Sequence, residues 1–282
     1  SIIIPAYNED RTIDDVLKSI MAVELPYQLK KECIIVDDCS NDDTVKFVED
    51  FKVKNLDFEV HLIQHNANKG KGASIQTAIS QVTGDLVIFQ DADLECDPKD
   101  YVVLIEELEE SKCNVVYGNR FSKQNSAHKR SLHYIINRLL TKMSNLKTGL
   151  SLTDMECCYK LMESSLLKKL ELKEQRFGIE PEITAKLSKL TESKFTEVPI
   201  SYSRRSYNSG KKIGWKDGIR ALYCIRIGVL LVDCKPCYLF IDTDQVFIFF
   251  NTPPFFSNVT FKKVTFVTVP CVKLHSAIYV FR

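Results

Sequence analysis

Four times before Asp93, a short apolar run gives way to a polar or glycine-bearing loop, and three of these loops lead into apolar residues at helical spacing. The runs are Ile2 to Ile4, Cys33 to Val36, Phe58 to Ile63 and Leu86 to Phe89. Runs of this length, bounded by turn residues, suit strands buried on both faces. The helical stretches carry Ile13, Val16, Leu17, Ile20 and Met21, then Val45, Val48 and Phe51, then about Ala73 to Val82. Asn8 is a capping candidate for the first, and Ser40 to Thr44 supply capping chemistry for the second. Repetition of strand, loop and helix predicts an α/β fold with a mostly parallel sheet covered on both faces, and ligands gathered at the carboxyl ends of its strands. A solenoid or propeller is excluded, since no such period is visible.

Downstream the pattern loosens. A helix is expected from about Lys129 to Leu146, then a Thr148-Gly149 break, a short apolar run from Met155 to Met162, a helix near Pro181 to Leu190, and a strand from Phe195 to Tyr202. Pro199 inside that strand implies a sheet edge or a bulge. From Val229 onward there is no glycine or glutamate, and nine of the sixteen phenylalanines fall there. This predicts a boundary near Gly228, with a domain at 1–228 and an apolar extension at 229–282. The whole chain of 282 residues carries 38 basic and 37 acidic side chains. A balance this close to neutral argues against a nucleic-acid partner. Ten scattered cysteines, two of them adjacent at Cys157 and Cys158, with no secretory leader ahead of them, set the expectation of a reducing, cytosolic setting. Trp215 to Val232 passes from charged to apolar as an amphipathic, membrane-surface helix does, and Asp233 ends it well short of a span. Cys234, Cys237, Cys271 and His275 do not match the spacing of a zinc site.

The strongest chemical signal is Gln90-Asp91-Ala-Asp93-Leu-Glu95. Two carboxylates at i and i+2, directly after a hydrophobic strand, can meet one hard cation from a turn, leaving positions for substrate phosphates. Asp37-Asp38 ends a second strand in the same way, so two acidic strand ends are expected to face one crevice. Lys69-Gly-Lys-Gly72 lacks the order and spacing of a nucleoside-triphosphate P-loop.

Eight segments, in order, resemble the inverting glycosyltransferases of family 2, within them the polyprenyl-phosphate (dolichol-phosphate mannosyl or glucosyl) transferase-like group. They are Ile4-Pro-Ala-Tyr-Asn-Glu9, Val36-Asp-Asp38, Asn68-Lys-Gly-Lys-Gly72, Gln90 to Glu95, Gly118-Asn-Arg-Phe121, Leu152-Thr-Asp-Met-Glu156, Phe177-Gly-Ile-Glu-Pro-Glu182 and Ser206 to Arg220. The resemblance implies a GT-A type fold for nucleotide-diphospho-sugar transfer, with Mg2+ or Mn2+. It places Pro5, Tyr7, Glu9, Asp38, Lys71 and Asp91 around the donor, GDP-mannose or UDP-glucose, and Asp91, Asp93 and Glu95 around the metal. Arg120, Arg205 and Lys212 supply positive charge for the donor diphosphate or the acceptor phosphate. The implied acceptor is a polyprenyl phosphate, the implied location the cytosolic face of a membrane.

A phosphate monoester, with a second pKa of about 6, is already anionic at neutral pH and needs no general base. A hydroxyl acceptor needs one, and Asp154 is preferred over Glu156 and Glu182. A non-catalytic nucleotide-sugar binder is the third alternative. The chain departs from the family at Arg204, where a glycine is common, and at Cys96 and Cys157, which are expected to be small buried thiols.

Overall fold

A computed structural model describes residues 1–122, 132–203, 236–242, 245–250 and 265–270. The chain divides into two compact units, Ser1–Ile225 and Arg226–Arg282.

The first unit has strands β1 (Ile2–Ala6), β2 (Glu32–Asp37), β3 (Glu59–Gln64), β4 (Leu86–Phe89), β5 (Val115–Asn119), β6 (Lys160–Glu163) and β7 (Phe195–Pro199). Its helices are α1 (Ile13–Ala22), α2 (Thr44–Lys54), α3 (Lys71–Ile79), α4 (Tyr101–Ser111), α5 (Leu132–Thr148), α6 (Ser164–Lys168) and α7 (Ile179–Leu187). The strands form one sheet in the order β3-β2-β1-β4-β6-β5-β7. The expected parallel arrangement holds for β1 to β4 and for β5 with β7, whereas β6 runs antiparallel to both neighbours. Lys160 at the start of β6 pairs with Tyr117, the last residue of β5 in their shared ladder. The chain therefore leaves and re-enters the sheet at the same end, and β6 must be reversed.

Both faces are covered, because β1 and β2 are apolar at every second position on each side. Ile2, Ile4, Cys33 and Ile35 pack against α1, α2 and α4 through Val16, Leu17, Ile20, Val48, Phe51 and Leu104. Ile3, Ile34 and Val36 pack against α3, α5 and α7 through Ile75, Leu140, Ile179 and Ile183. Each fully buried side chain of this kind contributes about 1.5–3 kcal/mol, so the strands are held from both sides and their carboxyl ends are fixed in space.

Two prolines mark where pairing stops. Pro5 lies in the middle of the sheet, yet the β1–β4 ladder ends at Ile3 opposite Phe89, so its missing N–H interrupts nothing. The chain order reverses between β1 and β4, and a crevice opens beyond that last pair. Pro199 closes β7, which is an edge strand as its position predicts.

Asn8 does not cap α1. It adopts φ 50° and its Oδ1 accepts from Asn41 N at 2.8 Å, tying two loops together, and the helix starts at Ile13 after Thr12. In the second unit β8 (Pro236–Asp242), β9 (Gln245–Phe250) and β10 (Thr265–Pro270) form an antiparallel sheet in the order β10-β8-β9. The sequence reading assigned no elements there. The strands draw on its dense β-branched and aromatic residues. Residues 215–232, Cys234, Cys271 and His275 lie outside the described residues.

Candidate active site

The acidic turn is assembled where β4 ends. Gln90 is fully buried, and its Oε1 accepts from Tyr101 OH at 2.5 Å and from Tyr159 OH at 2.7 Å. With its base so held, the chain turns through Leu94 at φ 60°, and Glu95 N donates to Asp93 Oδ1 at 3.1 Å. The three carboxylates then point to different partners. Asp91 pairs with Lys71 Nζ at 2.7 Å, while Glu95 Oε2 accepts from Tyr202 OH at 2.7 Å. Asp93 sits between them. Burial, then the charges of Asp91 and Glu95, push its carboxyl up to about 7. Such a site has more negative charge than it can neutralise itself, and hard oxygen donors in excess suit a divalent cation.

Lys71 enters from the first turn of α3. Gly70 stands ahead of it at φ 102°, and a Cβ on Gly72 would lie 2.2 Å from Glu174 O, so only glycine lets the helix seat against the 174–175 loop. Burial works against the Lys71 charge, but Asp91 and Glu180, the latter at 3.0 Å, outweigh it and hold the ammonium above the usual lysine range. Glu180 also pairs with Lys160, which is fully buried at the start of β6. Asp91, Lys71, Glu180 and Lys160 thus form one alternating chain of charge.

Arg120 follows β5. Its backbone N and Nε donate to Asp154 Oδ2 at 3.0 and 2.8 Å, and its Nη2 donates to Asp154 Oδ1 at 2.7 Å. The bidentate geometry keeps the pair ionic; burial opposes both charges, and the guanidinium is nevertheless held above its ordinary range. The Arg120 guanidinium also lies 5.3 Å from the Tyr202 ring, the same tyrosine that donates to Glu95. Tyr202 is thereby a shared wall between the cation and the acidic turn. A cavity of about 510 Å3 shares Glu95 and Tyr202 with the site and extends past Ser19 and Ala22 of α1.

A model of the family described as Glycosyl transferase family 2 matches residues 1–171. The chain belongs to that family. Dodecaprenyl-phosphate galacturonate synthase of Rhizobium johnstonii is 24% identical over 216 residues, covering 75% of this chain and 61% of the relative. Undecaprenyl-phosphate 4-deoxy-4-formamido-L-arabinose transferase of Proteus mirabilis is 29% identical over 216 residues, covering 75% and 62%. The chain thus spans about three-fifths of the length of these curated relatives. Among solved structures, glucosyl-3-phosphoglycerate synthase from Mycobacterium tuberculosis, in complex with Mn2+, uridine diphosphate and glucosyl-3-phosphoglycerate, aligns with a TM-score of 0.60. Its identity is 16%, with 82% of this chain and 80% of that one covered, a likeness of fold. The GT-A type architecture expected of this family 2 chain is therefore present.

Within the family 2 domain, the structure brings Lys71, Asp91, Asp93, Glu95, Arg120 and Asp154 to the carboxyl ends of β1, β4 and β5. Pro5 and Tyr7 lie at the end of β1, and Glu9 is buried beside Thr12, whose hydroxyl bonds Glu9 Oε2 at 3.0 Å and Ala92 O at 2.7 Å. Asp38 is turned inward. Its carboxylate accepts from Lys69 N at 2.8 Å and Gly70 N at 2.6 Å and bonds His65 Nδ1 at 2.8 Å, which shapes the loop that presents Lys71. Arg205 and Lys212 lie outside the described residues. Cys96 and Cys157 are buried thiols, as expected.

Asp154, preferred in sequence as a base, is instead the counter-ion of Arg120 and has no solvent exposure. Glu182 is equally engaged, accepting from Lys173 N and Glu174 N and pairing with Lys186 at 2.8 Å. Glu156 differs. Its Oε1 is buried with no hydrogen-bond partner among the described residues, and burial followed by the Glu180 charge pushes the carboxyl up to about 7. Lys160, Glu180, Glu197 and Tyr202 had no assigned role in sequence. Glu180 lay inside a quoted motif, and Glu197, which accepts from Thr153 N and Asp154 N, carried no signal. Glu32, Glu59 and His61 also approach each other as metal ligands do. There, hydrogen bonds from Ser1, Thr83 and Gly84 overcome burial and hold Glu32 at about 2, a structural role.

Proposed function

We propose that this protein transfers a hexose from a nucleotide diphosphate sugar, GDP-mannose or UDP-glucose, to a polyprenyl phosphate at the cytosolic face of a membrane. The observation that carries the proposal is the shared wall at Tyr202, which sets an over-charged carboxylate turn beside a guanidinium from a distant strand. Asp93 and Asp91, with Glu95, have the donor set for Mg2+ or Mn2+; when bound, the ion offsets charge on the departing nucleoside diphosphate. A phosphate oxygen of the acceptor attacks the anomeric carbon, and the bond from that carbon to the diphosphate oxygen breaks. Arg120, with Arg205 and Lys212, counters the repulsion between the two phosphate groups. No base is required, which fits a site whose most central carboxylate is itself short of cations. The two curated relatives, named for dodecaprenyl and undecaprenyl phosphate, support this acceptor class.

Incubation of the purified chain with labelled GDP-mannose or UDP-glucose, Mn2+ and polyprenyl phosphate is expected to yield labelled lipid. Absence of product with every common donor overturns the proposal, and nucleotide binding without turnover supports the non-catalytic alternative. Glu156 favours a second reading, transfer to a saccharide hydroxyl, because a half-buried carboxylate near 7, its Oε1 without a hydrogen-bond partner among the described residues, is suited to accept a proton. Its mark is loss of turnover in Glu156→Gln with saccharide acceptors.

A further inference from the structure

From Ser111 to Thr153 the chain runs for 43 residues with eight lysines and arginines and not one carboxylate. Helix α5 occupies the later part of this stretch. Its inner face, with Leu140, Thr141 and Ser144 buried, packs on the domain. Its outer face is apolar and open to solvent: Ile135 and Leu139 are each 55% exposed and Leu146 is 78% exposed, with Ile136 and Met143 also exposed. At about 100° per residue, these five side chains fall within a sector roughly 100° wide. Arg138 and Lys142 border one edge and Lys147 the other, all exposed.

An apolar sector rimmed on both sides by cations, with no acid on the helix, is complementary to one kind of surface: acyl chains beneath anionic headgroups. The helix is too short and too charged to span, and no helix among the described residues is long and apolar enough to cross a membrane. The same helix is joined to the site. Arg138 Nη1 donates to Thr153 O at 3.1 Å, Asn145 Nδ2 donates to Leu152 O at 2.7 Å, and Thr141 Oγ1 accepts from Met155 N at 3.2 Å. Those bonds bracket Asp154, the partner of Arg120, and the Tyr134 ring meets Phe121, next to Arg120, edge-on at 4.8 Å between centroids.

We propose that α5 lies in the plane of an anionic leaflet as the membrane-docking face of this protein, its apolar sector among the acyl chains and its three cations at headgroup level. The inference names the membrane contact of the site proposed above and draws its purpose, though not its physics, from that proposal. It is tested by flotation of the full chain with phosphatidylcholine vesicles, with and without phosphatidylglycerol, in the absence of polyprenyl phosphate, nucleotide and metal. The parent is expected to float with the anionic vesicles. Leu139→Asp/Leu146→Asp should weaken binding by about tenfold or more. Lys142→Glu/Lys147→Glu should lose the preference for phosphatidylglycerol, by about fivefold per lysine at low salt. Parental flotation of the leucine variant overturns the proposal, as does failure of the parent to float. So does a lipid-free parent that sediments as a dimer and becomes monomeric in the leucine variant, since the face then meets a second copy. Turnover with a short, water-soluble polyprenyl phosphate separates the two proposals: the leucine variant keeps it, and a parent that floats but turns over no donor sinks the transfer chemistry alone.

Discussion

At the residue scale, charge balance around Asp93 makes the sharpest prediction. Its carboxyl titrates near 3.9 in an unfolded chain and at about 7 in the folded protein. Folding therefore takes up a proton between those values. The stability this group contributes is full below about pH 4, declines as pH rises, and is gone above 7. Without divalent metal, the melting temperature should drop between pH 5 and pH 8. Asp93→Asn should lessen that slope while abolishing transfer, the part left belonging to Glu156, whose carboxyl is also pushed up to about 7, and an unchanged slope in the variant would contradict the assignment. Asp154 and Glu156, two positions apart, should behave in opposite ways. Asp154→Asn strips a buried guanidinium of its partner, so a loss of about 3–5 kcal/mol by denaturant unfolding is expected. Glu156→Gln removes a half-buried acid whose Oε1 has no hydrogen-bond partner among the described residues, so stability should hold or rise, and transfer to a lipid phosphate should continue. Sequence pointed to both residues and preferred Asp154. Which carboxylate is spent on an arginine is a matter of side-chain contacts between segments 34 residues apart.

At the scale of elements, the strands most visible in sequence were those buried on both faces, because Ile2–Ile4 and Cys33–Val36 have no polar position to confuse the pattern. The boundaries of α1 and α3 were less visible. Asn8 has capping chemistry but uses it on a neighbouring loop, and α3 starts at Lys71 because two glycines let it seat against distant backbone. Gly72→Ala puts a methyl into Glu174 O, and overpacking of this kind costs about 1–3 kcal/mol. A lowered melting temperature with a weaker affinity for the donor is the expected result, since the displaced turn carries Lys71. Unchanged values for both would show that the loop yields freely. The reversal of β6 was hidden for a different reason: a run of apolar residues has no direction written into it, and only its partners define one.

For the molecule as a whole, the test is linkage between ion, nucleotide and fold. If Asp91, Asp93 and Glu95 hold a divalent cation, Mn2+ with a nucleoside diphosphate should stabilise the first unit by about 2.7 kcal/mol at a hundredfold excess over Kd. At about 2–4 °C per kcal/mol for a unit of this size, that is a plain rise in melting temperature, lost on chelation and absent in Asp93→Asn. Sequence by itself determined the alternation of strand and helix, the acidic ends of β2 and β4, and the family, because these rest on local pattern and on residue types in order. Tertiary structure alone decided the rest: that Asp38 folds inward, that Lys71 and Glu180 neutralise one another, that Asp154 belongs to Arg120, and that Tyr202 joins Arg120 to Glu95. The physical reason is that a charge or hydrogen bond is defined by its partner, and in this fold the partners of functional side chains come from elsewhere in the chain.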